Sequence, residues 1–355
     1  MTSLSVSHKP GFARPSALIS LFITVLCCAA PLAAQGHGIT LFDAPDAGHG
    51  LEQGTLAICI NQGGTVAGYY IDSNRKEHGF VRAANAAITE FDVPNLHGPL
   101  VTAINASGEV VGYGTRVSGG DGTNHGFLRR NTTYIAINVP GSADTVVTGI
   151  NDSDEMAGSF DDAAGIWHGF IREASGTYTT FDEPDATLSQ LGLGTRVLGI
   201  NAGGDVTGYY NDNNTGQAHA FIRDQFGNFT SFDPPGADGT VANSINLSAE
   251  VAGNYTDIDQ VLHGFVRDAA GNITSFDPLG SFGTFAYSIN DAGTVVGQWD
   301  NTALSYRGYE RNPSGGISSL SVAAPDSLLV AAINNGGHIA GFYIDSKQVW
   351  HGFVR

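Results

Sequence analysis

Positive charge, cysteine and long apolar runs are all scarce in this chain. Lys and Arg number 16 against 34 Asp and Glu, a formal net charge of −18. A surface this negative repels phosphate backbones, which excludes nucleic acid as a partner. Charged residues make up only 14% of the sequence, against an ordinary share of about 25%, and this argues against a coiled coil, a helical bundle or an acidic disordered tail. Cysteine occurs only as Cys27, Cys28 and Cys59. The apolar stretch at residues 17–30 falls short of the roughly 20 residues that a membrane-spanning helix needs.

What is present begins with an address. Residues 1–15 carry Lys9 and Arg14 and no acid, residues 17–30 are mostly apolar, and Pro31-Leu32-Ala33-Ala34 leads to Gln35. That order reads as a secretory signal peptide over residues 1–34. Its removal takes Cys27 and Cys28 with it, so residues 35–355 are expected to form one domain with a single thiol and no internal disulfide. The mature charge becomes 14 − 34 = −20. A secreted or periplasmic monomer is expected, without stable membrane insertion and held together by packing and strand pairing.

Glycine is abundant, with 48 residues, and it recurs in register with other residue types. An Ile-Asn pair places its Asn at Asn61, Asn105, Asn151, Asn201, Asn246, Asn290 and Asn334, at spacings of 44, 46, 50, 45, 44 and 44. Seven residues after each Asn stands a Gly, from Gly68 to Gly341. Then comes His-Gly-Phe or a relative, beginning at His78, His125, His168, His219, His263, Arg307 and His351, with an Arg four residues later each time. Each unit closes on a short alternating segment ending in Phe-Asp or a variant, such as Phe91-Asp92. Short Val, Ile, Phe and Tyr segments between Gly, Asp, Asn and Pro read as four strands per unit. Four strands in a period of about 44 predict an all-β, seven-bladed β-propeller.

The split unit points the same way. The sequence after the signal opens on a fourth strand, Ile39-Thr40-Leu41-Phe42-Asp43, and the seventh unit stops at its third, His351-Gly352-Phe353-Val354-Arg355. Pairing of these two segments would close a ring and remove exposed strand edges.

The repeated residues read first as structure. His and the following Asp are 14 residues apart in His78/Asp92, His168/Asp182, His219/Asp233 and His263/Asp277, which places them opposite each other on neighbouring strands. In the sixth unit both change together, to Arg307 and Ser321; His125 faces Asn138, and ring closure would set His351 against Asp43. A hydrogen-bonded pair that locks two strands is expected. The fixed Gly suggests a bulge or close approach, the Asn an Asx turn, and the Arg ladder a solvated rim or acid pairing. The carboxylates Asp161-Asp162, Asp212 and Asp257-Ile258-Asp259 suit turns between second and third strands. Oxygen-rich turns can hold Ca²⁺, but none has the full spacing of a calcium loop, so no cofactor is expected.

The units resemble the HAF repeat of predicted bacterial extracellular proteins. His219-Ala220-Phe221 matches the name-giving triplet, the other His units carry the Gly variant, and Arg307-Gly308-Tyr309 departs from it. The resemblance runs from Ile39 to Arg355 and implies a bacterial extracellular protein; it carries no reaction or ligand.

Function is expected where the symmetry breaks, on loops held by a rigid frame. The loop leaving each fourth strand and the loop joining second to third strands open on one face, and the large length changes fall there. Asp43 to Asn61 spans 18 residues and Asp182 to Asn201 spans 19, against 13 elsewhere. Candidate ligand-binding residues on this variable-loop face are Asp46, His49, Glu52, Arg116, Asp121, Gln190 and Arg196. The residues before three of the repeated positions, Trp167, Tyr306 and Trp350, join them as aromatics that could stack on sugars or pack between blades. No catalytic or metal motif stands out. The sequence therefore favours a non-catalytic binding or scaffold protein for a glycan or extracellular protein, with an extracellular polysaccharide lyase or hydrolase as the alternative.

Overall fold

The computed structural model describes residues 38–116, 122–301, 305–322 and 327–355, so the expected signal peptide lies outside the described residues. The described residues form twenty-eight strands and no helix. Strands that follow one another in sequence pair antiparallel in runs of four, over residues 53–91, 96–137, 145–181, 195–232, 237–276 and 283–320. A further run has its first three strands within residues 327–354 and takes the N-terminal strand Thr40–Phe42 as its fourth. There Thr40 stands opposite Val354 and Phe42 opposite Gly352. The first strands of neighbouring runs pack on one another, and Ser327–Ile333 packs back on Gln53–Ile60.

Close strand approach explains the fixed glycine. A Cβ on Gly68 would stand 2.0 Å from the carbonyl oxygen of Leu56, and one on Gly253 would stand 2.2 Å from that of Val241. Beside these glycines the first strand slips register, between Ala57 and Cys59 and between Ala242 and Ser244. A side chain has no room at such a bulge.

The apolar core lies between runs rather than within them. Cys59 and Ala67 of the first run pack with Val101, Ile104, Val110 and Phe127 of the second, and Tyr70 and Phe80 pack with Ala340 of the last. The aromatic of every His-Gly-Phe unit, from Phe80 to Phe353 and including Tyr309, is fully buried. Burial also pushes the Cys59 thiol up to about 12. A run standing alone would expose one of these faces, so the runs stabilise one another.

The arginine ladder differs from the expectation of a solvated rim. Arg82, Arg129 and Arg311 are buried, and each lies over the Phe that ends the preceding run. Arg82 is 4.9 Å from the Phe42 ring, Arg129 is 4.6 Å from Phe91, Arg223 is 4.7 Å from Phe181, Arg267 is 5.0 Å from Phe232 and Arg311 is 4.9 Å from Phe276. Such cation–π contacts contribute about 0.5–2 kcal/mol each. Two departures obey the same logic. Where the preceding run ends in Ile137, Arg172 lies over its own Tyr178 at 5.7 Å. Where it ends in Leu320, Arg355 pairs with Glu310 at 2.5 Å.

Each repeated Asn works twice. Its Oδ1 accepts the N–H of the residue four places on, as from Thr65 to Asn61 and from Glu250 to Asn246, both at 2.9 Å, and in several units also that of the residue two places on, as from Gly203 to Asn201 at 2.9 Å and Ser248 to Asn246 at 3.0 Å, which is the expected Asx turn. Its Nδ2 donates to the backbone carbonyl of the Asn in the next run. These links join Asn61 to Asn105 at 2.9 Å, Asn151 to Asn201 at 3.3 Å, Asn201 to Asn246 at 2.9 Å, Asn246 to Asn290 at 3.1 Å and Asn290 to Asn334 at 3.1 Å. Asn334 donates to Asn61 at 2.8 Å. Asn105 departs and bonds Asp154 Oδ1 at 3.0 Å.

Gly253→Ala should destabilise the chain by about 1–3 kcal/mol through the forced separation of two strands. Chemical denaturation measures this, and an unchanged midpoint would remove the close-approach argument.

Candidate functional site

Strand direction assigns the loops to two faces. Each first strand runs toward its Asn turn, so that face carries the turns between first and second strands and between third and fourth. The opposite face carries the loops that vary in length.

Every described His of the repeat makes the pairing read from the sequence. His78 Nδ1 lies 2.7 Å from Asp92, His168 2.8 Å from Asp182, His219 2.6 Å from Asp233 and His263 2.7 Å from Asp277. His351 lies 3.0 Å from Asp43, and His125 lies 3.0 Å from Asn138. The sequence reading missed a second carboxylate. Nε2 of His78, His168, His219, His263 and His351 faces Asp72, Asp162, Asp212, Asp257 and Asp345 at 3.6, 3.6, 3.4, 3.3 and 3.6 Å. Each of these Asp residues heads the turn before its His, at an offset of six or seven residues that was visible in the sequence. Asp72, for example, accepts the N–H groups of Asn74 and Lys76, both at 2.8 Å. The imidazole also stacks on an aromatic of the second strand, with Tyr70 5.0 Å from His78 and Tyr343 4.8 Å from His351. Among the described residues no group of three His, Cys, Asp or Glu side chains is arranged to hold a metal ion.

At His263 and His219 the carboxylates tune the imidazole. Burial pushes the His263 pKa down, but the hydrogen bonds and charges of Asp277 and Asp257 outweigh it and raise the pKa above the ordinary value. His219 behaves likewise between Asp233 and Asp212. Backbone N–H donation from Thr215, with further hydrogen bonds in that turn, lowers Asp212 to about 2.

The candidate residues occupy loops and strand ends, with Arg116, Trp167, Arg196, Tyr306 and Trp350 on strands. Asp46, His49 and Glu52 are exposed in the long loop before the first run; the Asp46 N–H donates to Glu90 at 2.9 Å, and Glu52 lies 3.5 Å from Arg75. Arg116 and Gln190 are exposed, and Asp121 lies outside the described residues. Tyr306 is half-buried, its N–H donating to Ser327 at 3.3 Å. Trp350 is half-buried, 6.3 Å from the Phe342 ring, with its indole N–H enclosed and unpaired.

Trp167 and Arg196 are brought together. Trp167 is buried, and the Arg196 guanidinium lies 3.3 Å from its ring centre. The Arg196 side chain hydrogen-bonds no described residue, and its Nη2 is enclosed without a partner. Burial lowers the Arg196 pKa, while the charges of Asp161 and Asp144 and the phenols of Tyr209 and Tyr113 act against that shift. Asp161 is itself raised, first by burial and also by the charge of Asp144, whose N–H it accepts at 2.5 Å. Of the four neighbours of Arg196, Asp161 was singled out from the sequence only as a turn carboxylate, and Asp144, Tyr113 and Tyr209 were not. A signal for Arg196 was present, because the residue five before each Asn is otherwise Leu56, Leu100, Val146, Val241, Phe285 or Leu329.

Exposed apolar side chains also gather on the variable-loop face. Leu51, Leu188, Leu191, Ile258, Val261, Leu279 and Phe282 lie in its loops, whereas Phe226 and Leu247 lie on the opposite face. Leu262 pairs with Gly283, which brings the segment of Ile258 and Val261 beside that of Leu279 and Phe282.

Solved structures with this architecture are known. The chain superposes on the BP39L lectin from Burkholderia pseudomallei with a TM-score of 0.55 at 12% identity, covering 84% of this chain and 95% of that one. It superposes on the β-propeller domain of the Trilobed protease from Pyrococcus furiosus with a TM-score of 0.59 at 10% identity, covering 84% and 94%. A prolyl endopeptidase gives 0.55 at 10% identity, covering 83% of this chain but only 47% of that one. The fold is a β-propeller. No family model matches the sequence, and no curated protein does.

His263→Ala should cost the most stability at mildly acidic pH. A raised folded-state pKa contributes stability below the unfolded value of about 6.5 and loses it as pH rises through the folded value. Melting curves of both proteins from pH 5 to pH 9 should therefore converge as pH rises; a constant difference would show that the carboxylates do not hold the proton.

Proposed function

We propose that this chain is a secreted or periplasmic, non-catalytic binding propeller of the HAF-repeat type that recognises a glycan through its variable-loop face. In this reading the fold is a ring of seven blades closed by the pairing of the N-terminal strand with the last one. The contacts of Ser327–Ile333 with Gln53–Ile60 and the amide link from Asn334 to Asn61 support that closure.

The observation that carries the function is the chemistry gathered on one face. Apolar side chains stand exposed there beside Asp–His–Asp groups and the unpaired guanidinium of Arg196. Sugars present hydroxyls and apolar ring faces together, and such a surface answers both. The likeness to a lectin is one of fold and is compatible with this reading. The patch of Ile258, Val261, Leu279 and Phe282 favours a second reading, an extracellular protein partner.

A labelled sample of the chain on a glycan array, followed by a search for released products, tests the proposal. Retention without product is expected. Product formation lost in His49→Ala would replace binding with catalysis. No retention would reject the glycan and leave the protein partner, whose capture should then be abolished by Leu279→Asp with Phe282→Asp.

A further inference from the structure

Arg196 occupies the one charged position in a ring of otherwise apolar equivalents, so the repeat itself gives no structural reason for it. Six units hold that place with Leu, Val or Phe, and the fold tolerates them all. The cationic group is nevertheless half-buried, laid on Trp167 at 3.3 Å and left without a protein acceptor, with Nη2 fully enclosed. An enclosed guanidinium with no hydrogen bond is costly. The ladder arginines also lie on rings of the preceding run with an enclosed, unpaired Nε, as Arg82 and Arg267 do, but there Arg recurs in every unit, whereas Arg196 stands where the repeat otherwise puts an apolar side chain. Asp161 and Asp144 are near enough to act on Arg196 electrostatically, yet neither takes its N–H groups: Asp161 Oδ1 accepts the Asp144 N–H and Asp144 Oδ1 that of Asn124, and both carboxylates keep acceptor capacity.

We propose that Arg196 is the anchoring donor of a subsite for a neutral saccharide ring. The subsite lies between the runs at residues 145–181 and 195–232, with Asp161 and Asp144 as acceptors and the phenols of Tyr113 and Tyr209 beside them. This inference deepens, and rests on, the reading of the variable-loop face as a glycan-binding surface. The chemistry assigns the roles. A sugar hydroxyl accepts from the guanidinium and donates to a carboxylate, so neighbouring hydroxyls satisfy both groups at once. Trp167 is a positioning residue, because its face is covered by the guanidinium it carries.

Charge decides between a neutral sugar and an acidic one. Arg196 with Asp161 and Asp144 sums to −1 when all three are ionised, on a chain whose formal charge is −18. An added carboxylate would meet one cation and two like charges in a site where burial already raises Asp161. A uronic acid or other anionic sugar is therefore disfavoured, and a neutral one is not.

Calorimetric titration of the full chain with the methyl glycosides of mannose, galactose and fucose, and with methyl glucuronide, tests this directly. At least one neutral glycoside should bind, and the glucuronide should bind more weakly than it does. Arg196→Lys keeps the charge and loses the fork, and it should weaken binding about 10- to 100-fold. Phe226→Ser, on the opposite face, should bind as the parent does. If Arg196→Lys fails to fold, Tyr209→Phe replaces it and should weaken binding measurably. Unchanged binding in these variants would overturn the subsite while leaving the glycan-binding face intact. Preference for the glucuronide would overturn the neutral assignment. An absence of saccharide binding by the parent, on the array as well as in titration, would overturn the face reading and the subsite with it.

Discussion

The side-chain amide of the repeated Asn is the constraint on which the rest depends. It is buried in every unit, and a buried amide must find partners for both its oxygen and its nitrogen. The oxygen is spent locally, folding the turn between first and second strands; the nitrogen reaches the next run. One residue thus fixes a turn and a relation between neighbours. The link from Asn334 to Asn61 is of the same kind as that from Asn246 to Asn290, so the last run and the first are related as interior neighbours are. The departure at Asn105, whose amide turns to Asp154, shows the demand for a partner being met by a different acceptor rather than left open.

That constraint has a price on one face and a freedom on the other. Where the Asn turns lie, segment lengths barely change, since lengthening a turn would pull its amide away from the next carbonyl. The opposite face lacks the repeated Asn amide, and there the loop from Asp43 to Asn61 and that from Asp182 to Asn201 are longer than their counterparts. On this free face each run still needs its third and fourth strands held together where the Asn network does not reach. In five of the seven runs an Asp–His–Asp group does this with polar chemistry that tolerates water, which the buried Phe beneath it does not. Its stacked Tyr or Phe covers one side of the imidazole, while carboxylates face both ring nitrogens.

The sequence was most legible where a contact lies within one unit. The His263–Asp277 distance of 14 residues and the Gly253 offset both reflect partners inside a single period, and pattern alone located them. The arginine ladder was misread because its partner belongs to the preceding unit. Arg267 and Phe232 are 35 residues apart, and no local pattern ties them. The covariation was present all the same: Ile137 and Leu320 replace the ring where Arg172 and Arg355 find other partners. The second carboxylate of the His group was legible as a turn residue, and its turn role concealed its second role. Of the candidate ligand residues, Trp167 and Arg196 gained a shared environment, while the others depend on loop positions that length alone could suggest.

The scarcity of positive charge acquires its meaning from where that charge sits. The ladder arginines lie over rings or against acids, Arg75 lies beside Glu52, Lys76 beside Asp92, and Arg130 between Glu109 and Asp154. Cations placed this way are neutralised or buried, and they offer little to an anionic polymer. Arg196 differs because it stands alone among apolar equivalents in the repeat, carried on an indole with the charges of Asp161 and Asp144 near it. In a protein so acidic, a lone guanidinium cannot act as a general attractor of anions, since its own neighbours already outnumber it. Its remaining use is directional, as a set of fixed donors beside fixed acceptors, and that geometry suits hydroxyls better than it suits charge.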